Sequence, residues 1–237
     1  VRRRPGEVSD VWREGCRRGA VGQGVLEAPG YSRRDGVLWC EGVNLGVIAE
    51  RVGTPTYVYS AATICNRLDS LTQALAGLPV HIHYSVKANS SRAILALLKS
   101  RGVGVDIVSA GELHRALTAG FTGSDMVFSG VGKTAVELER AVRAGVKSIN
   151  VESEGEIASL QEIAAHLRVV VSVALRVNPD IAVITPHKYT RTAELGMKFG
   201  IPHESVMRVA RGMTEMPNLK LTGIATHLGS QIDAVAP

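Results

Sequence analysis

The sequence predicts a parallel β/α fold, and within that class it favours a β/α barrel. Apolar, strand-like runs alternate with helix-like segments along most of the chain. Successive runs begin about 20 residues apart until the last interval, which is close to the length of a compact βα unit. The six predicted strands cover residues 82–86, 103–108, 126–128, 148–151, 169–177 and 223–227.

Polar side chains at the strand ends favour the barrel over an open sheet. An open sheet collects its ligand at one switch point, whereas a barrel collects it from strands all around the rim. Here all six predicted strands run into reactive or hydrogen-bonding groups: Lys87; Asp106 and Ser109; Ser129 and Gly130; Glu152 and Ser153; Arg176 and Asn178; and His227 with Gly229 and Ser230.

The segment before the first barrel strand is expected to be mixed in structure. Apolar spacing predicts helices over residues 45–52 and 62–75, and the β-branched and aromatic residues of 56–59 predict a short strand between them.

Composition indicates an ordinary globular chain of 237 residues with 45% hydrophobic and 21% charged residues. Of the net charge of +5, residues 1–34 contribute +4, from eight arginines and four acids. The rest of the chain shows no dense basic stripe with interleaved aromatic residues, so nucleic-acid binding is not favoured. Residues 1–34 are predicted to be a basic, disordered extension.

Compartment and membrane association follow from cysteines and apolar runs. Cys16, Cys40 and Cys65 are widely spaced and odd in number, which fits neither a disulfide framework nor a paired metal motif. No apolar stretch reaches the roughly 18 residues needed to span a bilayer. The sequence therefore predicts a reducing compartment, in which the thiols stay reduced, and a soluble, cytoplasmic protein that does not bind membranes.

Lys87 is the residue whose position carries the most chemical information. It ends a strand-like run and precedes a helical pattern, so it lies at a βα junction, where a partly desolvated amine can become nucleophilic enough to form a Schiff base. A solvated lysine at a helix start is the ordinary alternative. His227 ends the last strand, where a flat imidazole could lie on a flat cofactor ring, and Gly229 and Ser230 could bind a phosphate.

Two other kinds of site have weaker support. The segment ending in Gly132, Lys133 and Thr134 is similar to a phosphate-binding P-loop, but Val127 stands where that motif requires its first glycine. A tight βα turn is the structural interpretation. The seven histidines show no ligand spacing typical of a metal site.

A family resemblance then becomes visible in eight ordered motifs. Together they resemble the diaminopimelate decarboxylases over about residues 35–233, which implies a pyridoxal-phosphate enzyme with an alanine-racemase-like (β/α)8 barrel of the TIM type and an added β-domain. The motifs are EGV followed by AERVGTPTYVYS within 41–60, HYSVKANS at 83–90, GVDIVSAGELHRAL at 104–117, FSGVGKT at 128–134, INVES at 149–153, ALRVNPD at 174–180, KFGI at 198–201 and HLGSQI at 227–232.

The resemblance implies roles for individual residues. Lys87 matches the lysine that holds pyridoxal 5'-phosphate covalently, and His227 matches the residue stacked on the cofactor ring. Asp106 and Arg176 match the polar pair beside the ring, while Gly229 and Ser230 match part of the phosphate site. Glu112 and Glu152 lie in family motifs without an assigned role. The implied reaction removes the α-carboxylate of meso-2,6-diaminopimelate to give L-lysine and CO₂.

The resemblance also implies a domain plan and an assembly. Residues 35–60 would belong to the β-domain, residues 61–237 would form about six of eight βα units of the barrel, and the complete enzyme would be a homodimer. We therefore expect the isolated chain to be an inactive fragment.

Substrate choice stays open among related activities. The irregular stretch from 178 to 201 is long enough to be functional, and its part 185–192 is where specificity for the substrate is expected. The alternatives are an ornithine- or arginine-type decarboxylase, a racemase, or a non-catalytic pyridoxal-phosphate-binding regulatory homologue.

Overall fold

The chain divides into two compact units, Val1–Val80 and His81–Pro237. The computed structural model describes residues 30–181, 199–230 and 232. Of the predicted disordered extension 1–34, residues 1–29 lie outside these described residues, as does the segment 185–192, whereas residues 31–34 are ordered in a β-strand, so that prediction is wrong for them. The predicted domain boundaries stay predictions.

The first unit contains a small antiparallel sheet that was not predicted. Strands β1 (Tyr31–Arg34), β2 (Val37–Cys40) and β3 (Val43–Asn44) pair in chain order. Asp35 and Gly36 join β1 to β2 with φ values of 50° and 80°. Two positive φ angles in a two-residue loop match the right-handed twist of a hairpin, which explains the Asp-Gly pair.

Two helices complete the described part of this unit, α1 (Leu45–Val52) and α2 (Ala61–Ala74), and both were predicted closely. Glu41 connects the sheet to α2, because its Oε1 accepts hydrogen bonds from the Ser60 hydroxyl and the Ala62 amide, each at 2.9 Å. The strand predicted at 56–59 is wrong: these residues are irregular, and Tyr57 is 87% exposed, so they gain no pairing partner.

The second unit is a parallel sheet covered by helices, as predicted. Its strands are β4 (His83–Ser85), β5 (Gly104–Ile107), β6 (Met126–Phe128), β7 (Ser148–Val151), β8 (Val171–Asn178), β9 (Ile201–Pro202) and β10 (Leu219–Ala225). Six of them are neighbours in the order β10-β8-β7-β6-β5-β4, and the short β9 pairs with β8. The last strand begins four residues earlier than predicted.

Helices follow most of these strands and cover one face of the sheet. They are α3 (Arg92–Ser100), α4 (Ala110–Thr118), α5 (Ala135–Arg143), α6 (Glu154–Leu167) and α7 (Val206–Gly212). Single-turn 3₁₀ helices lie at Val86–Ala88, Gly123–Asp125, His203–Ser205 and Met213–Glu215.

Alternation along the strands separates the core from the opposite face. In β5, Val105 and Ile107 are fully buried in the apolar core, while Asp106 between them faces the other side. Likewise Ile149 and Val151 of β7 enter the core and Asn150 does not. Because side chains alternate across a strand, the polar residues share the face that lines the interior of a barrel.

The cysteines differ from the expectation of reduced thiols throughout. Cys40 is a buried free thiol, whereas Cys65 is disulfide-bonded. Within the described ranges, no helix combines the length and the apolar character that a membrane crossing requires.

Candidate active site

The predicted site residues lie at the carboxyl ends of the parallel strands in the second unit. Lys87 is exposed and lies in the 3₁₀ turn directly after β4, and Asp106 lies on the neighbouring strand β5, where it pairs in register with Ser85. Arg176 is on β8, in register with Ala225 of β10, and His227 follows two residues later. Gly229 and the exposed Ser230 continue the same loop.

Lys87, Asp106 and Arg176 lie close enough to His227 for their charges to affect the pKa of its imidazole. Partial removal from water, followed by the positive charges of Arg176 and Lys87, lowers the pKa of His227 below its ordinary value, and Asp106 acts in the opposite direction. A lowered pKa keeps the imidazole neutral near pH 7. A neutral, flat ring at the rim can lie against an aromatic cofactor without charge repulsion from the nearby cations.

Glu112 belongs to the same neighbourhood. Burial raises its pKa, the backbone amide of Val108 donates to its Oε2 at 2.9 Å and lowers the pKa, and the charges of Asp106 and Lys87 act in opposite directions. Glu112 is therefore a carboxyl group with an increased tendency to hold a proton close to the Lys87 amine.

Asp106 is held by side chains from two other strand ends. Its Oδ1 accepts from the Ser129 hydroxyl at 2.5 Å, and its Oδ2 accepts from the Ser85 hydroxyl at 3.5 Å. Ser129 in turn accepts from the Asn150 side-chain amide at 2.9 Å. Ser129 was predicted as a strand-end residue, whereas Asn150 was not predicted; its position between two apolar residues of β7 was the available signal.

Arg176 is held from two sides. Its Nη1 donates to Glu152 Oε1 at 2.7 Å in an ion pair whose side chains are only 12% and 2% exposed. The ring of Phe199 lies 4.9 Å from its guanidinium carbon, which is cation–π range. Glu152, which received no role from the sequence, is therefore the ion-pair partner of Arg176.

Gly200 allows Phe199 to reach this place. Its φ is 78°, and a Cβ there would lie 3.0 Å from the Arg176 carbonyl oxygen and from the Asn178 amide nitrogen. Only glycine fits so close an approach of two backbones at a positive φ.

The P-loop-like segment has a structural explanation. Lys133 donates to the carbonyl oxygens of Gly130 at 2.7 Å and Asn150 at 2.8 Å, and to Glu156 Oε1 at 2.7 Å. Its side chain is 1% exposed, and its three donors are used by protein acceptors. Lys133 therefore ties together the β6–α5 turn, as the βα-turn interpretation expects. No group of three or more potential metal ligands occurs among the residues that the structure describes.

These features together define a class of protein. A parallel β/α sheet carries an exposed lysine amine, a neutral histidine and a buttressed carboxylate and guanidinium on one rim, which is the arrangement expected of a protein that binds an aldehyde cofactor through a lysine.

Comparison with known families agrees with that class. The family model described as pyridoxal-dependent decarboxylase, pyridoxal binding domain, matches residues 61–237. The chain belongs to this family.

Individual relatives point to one branch of the family. The chain is 45% identical over 207 residues to the diaminopimelate decarboxylase of Pseudomonas aeruginosa, covering 87% of this chain and 50% of that protein. It is 44% identical over 205 residues to the corresponding protein of Vibrio cholerae, covering 86% and 49%. The chain thus spans about half the length of the curated relatives it matches.

Solved structures of the same branch share the fold. A diaminopimelate decarboxylase from M. jannaschii superposes with a TM-score of 0.80 at 30% identity, covering 88% of this chain and 50% of that one. The Helicobacter pylori enzyme complexed with L-lysine gives a TM-score of 0.79 at 34% identity, covering 82% and 49%. The β/α barrel predicted from the strand ends, and the alanine-racemase-like class that the resemblance implied for it, are confirmed, with part of the barrel present in this chain.

Proposed function

We propose that this chain is the pyridoxal-phosphate-binding part of a diaminopimelate decarboxylase. The protein would convert meso-2,6-diaminopimelate to L-lysine and CO₂. The observation that carries the proposal is the convergence of Lys87, Asp106, Arg176 and His227 on one rim, in a chain 44–45% identical to diaminopimelate decarboxylases.

The side chains fit pyridoxal phosphate by their chemistry. Lys87 offers an exposed amine for the aldehyde carbon, and His227 offers an uncharged ring for stacking. The backbone of Gly229 and the exposed hydroxyl of Ser230 offer donors for a phosphate. When bound, the cofactor supplies an electron sink for the pair left by the departing carboxylate.

The remaining residues would orient and protect this chemistry. Asp106, which accepts hydrogen bonds from Ser129 and Ser85, would hold a negative charge at the same rim, while Glu112 can hold a proton there. Arg176, fixed by Glu152 and Phe199, places a positive charge near His227 and keeps the imidazole neutral. The expected homodimer and the cytoplasmic location also belong to this proposal; the first rests on the family resemblance and the second on the cysteine spacing and apolar runs of the sequence.

The direct test is an assay of the gene product that contains these 237 residues. Loaded with pyridoxal phosphate, it should release CO₂ from carboxyl-labelled meso-diaminopimelate, with far slower release from ornithine or arginine. Lys87→Arg should abolish release, because a guanidinium does not condense with the aldehyde. Lys147→Arg, which changes an exposed lysine away from the rim, is the matched control and should be fully active.

The other outcomes identify the alternatives. Preferred turnover of ornithine or arginine would assign a related decarboxylase, and interconversion of alanine enantiomers would assign a racemase. Cofactor uptake on Lys87 with no turnover of any of these amino acids would assign a non-catalytic homologue.

A further inference from the structure

The turn that carries Lys87 is too short to hold its own shape. It is a single turn of 3₁₀ helix, Val86–Ala88, and no side-chain hydrogen bond from the described residues caps its start at Ser85. Hydrogen bonds in a 3₁₀ turn have poorer geometry than those of an α-helix. The direction in which the Lys87 amine leaves the sheet therefore depends on what holds the chain on either side of the turn.

On the amino side, the chain is held by burial in the apolar core. Val86 is fully buried there, and Tyr84, which pairs in register with the buried Val105, packs against the same core. Ser85 lies between them and faces the other side of the strand, where its hydroxyl reaches Asp106. Because side chains alternate along a strand, Tyr84 and Val86 both point toward the core, beneath the turn that carries Lys87.

On the carboxyl side, the chain is held by hydrogen bonds to main-chain carbonyl oxygens. The Tyr84 hydroxyl donates to the carbonyl oxygen of Asn89 at 3.1 Å, and Nη1 of Arg115 donates to that of Ser90 at 3.2 Å. The Asn89 side chain accepts from the Ser91 amide at 2.9 Å and leads the chain into α3. The Tyr84 bond is partly buried, whereas the Arg115 bond is exposed to water, so the Tyr84 bond is the stronger restraint.

We propose that Tyr84 is a positioning residue for Lys87, with Arg115 in a supporting role. The Tyr84 ring is fixed in the core before the turn, and its hydroxyl holds the carbonyl group two residues after Lys87. One side chain thus spans the turn and fixes the direction of the amine. This inference rests on the proposed function for the role of Lys87 as the cofactor lysine.

A fixed turn matters for the attachment of the cofactor. The Lys87 nitrogen forms a double bond to the aldehyde carbon of pyridoxal phosphate, and the aldehyde oxygen leaves as water with the two amine hydrogens. When the amine is already directed at the aldehyde, less orientational freedom is lost in this step, and the step is faster. Loss of the Tyr84 hydroxyl should therefore slow attachment without weakening the preceding binding of the cofactor through its phosphate.

The test follows attachment to Lys87 in the gene product that contains these 237 residues. Cofactor-free protein is mixed with increasing concentrations of pyridoxal phosphate and quenched with borohydride at short times, and the reduced Lys87 peptide is quantified by mass spectrometry. Tyr84→Phe should lower the rate at saturation about fivefold, the effect of about one lost hydrogen bond, and leave the half-saturating concentration within about twofold. Arg115→Met should lower the rate by less than about twofold, because its bond is exposed.

Tyr31→Phe is the matched control for the loss of a tyrosine hydroxyl. The Tyr31 hydroxyl also donates to a backbone carbonyl oxygen, that of Val58 at 2.6 Å, but it lies in the first unit. Tyr31→Phe should leave the rate and the half-saturating concentration unchanged. Amide hydrogen exchange of the cofactor-free protein gives a second readout: residues 86–91 should exchange faster in Tyr84→Phe and at the wild-type rate in Tyr31→Phe.

Three results would overturn the proposal: an unchanged rate at saturation in Tyr84→Phe, an unchanged exchange of residues 86–91 in that variant, or an equal loss of rate in Tyr31→Phe. A wild-type protein that attaches no pyridoxal phosphate to Lys87 would count against the proposed function. Hydrogen exchange needs no cofactor, so in that case it still decides whether the Tyr84 hydroxyl holds the turn.

Discussion

Lys87 and Lys133 both follow parallel strands of one sheet, yet their surroundings are opposite. Lys133 is 1% exposed and donates to three protein acceptors, one of them Glu156, which is 7% exposed. Lys87 is exposed, lies in a 3₁₀ turn, and has charged neighbours of both signs. The same residue type at the same topological position thus serves structure in one turn and is available for chemistry in the other.

The largest expected effect is the loss of stability on removing the buried lysine, Lys133. Lys133→Met should lower the free energy of unfolding by about 3–5 kcal/mol, because it leaves Glu156 buried without its partner. Urea denaturation at pH 8 measures this change. The double variant Lys133→Met/Glu156→Leu should recover much of the loss, and a decrease below about 1 kcal/mol in the single variant would contradict the buried ion pair.

The same variant should show a defined pH dependence. Burial already raises the pKa of Glu156 despite the opposing charge of Lys133, and removal of Lys133 raises it further. A carboxyl group whose folded pKa exceeds its unfolded value binds more protons when folded, so stability falls as pH rises above the unfolded pKa. The destabilisation by Lys133→Met should therefore be smaller at pH 5 than at pH 8.

Helix starts after the two lysines provide a smaller contrast. Thr134 caps α5, since its hydroxyl oxygen accepts from the Glu137 amide at 3.3 Å and its hydroxyl hydrogen reaches the Glu137 carboxylate at 2.9 Å. Ser91, at the start of α3, makes no side-chain cap bond. Thr134→Ala should cost about 1 kcal/mol in thermal or urea unfolding, and Ser91→Ala less than about 0.5 kcal/mol. Equal costs would contradict the difference between the two turns.

The smallest expected effect concerns the charges around the exposed lysine, Lys87. The double variant Arg176→Gln/Glu152→Gln removes one of the positive charges that lower the pKa of His227 without leaving Glu152 buried and charged, so this pKa should rise by about half a pH unit. NMR titration of the histidine ring protons measures it, and Lys220→Gln, an exposed lysine on β10, serves as the control. An unchanged or lower pKa of His227 in the double variant would contradict the geometry.

Sequence reasoning predicted the sheet better than the contacts within the site. The parallel strands were predicted because apolar runs alternate with helical patterns, and the rim residues because polar groups follow those runs. The first-unit sheet was missed because its short strands follow one another through tight turns and do not alternate with helical segments, as the equally short β4 and β6 do. The wrong strand at 56–59 shows that β-branched and aromatic residues need a pairing partner as well as propensity.

The hydrogen bonds of the site depend on the register between neighbouring strands, and the amino-acid sequence alone does not show that register. Ser129, Asn150 and Glu152 were visible as residues near strand ends, but their bonds to Asp106, Ser129 and Arg176 join positions more than 20 residues apart. Lys87 and Lys133 could not be separated by burial before the fold was known. Only the three acceptors around Lys133 identify it as the structural lysine.

The most direct test of the contrast between the two lysines is covalent trapping of the cofactor. The protein is incubated with pyridoxal phosphate, reduced with borohydride, digested, and mapped by mass spectrometry. The adduct is predicted on the peptide that contains Lys87 and is predicted to disappear in Lys87→Arg, with the peptide of Lys133 unmodified. An adduct on Lys133 or another lysine, or the absence of any adduct in the folded protein, would contradict the account.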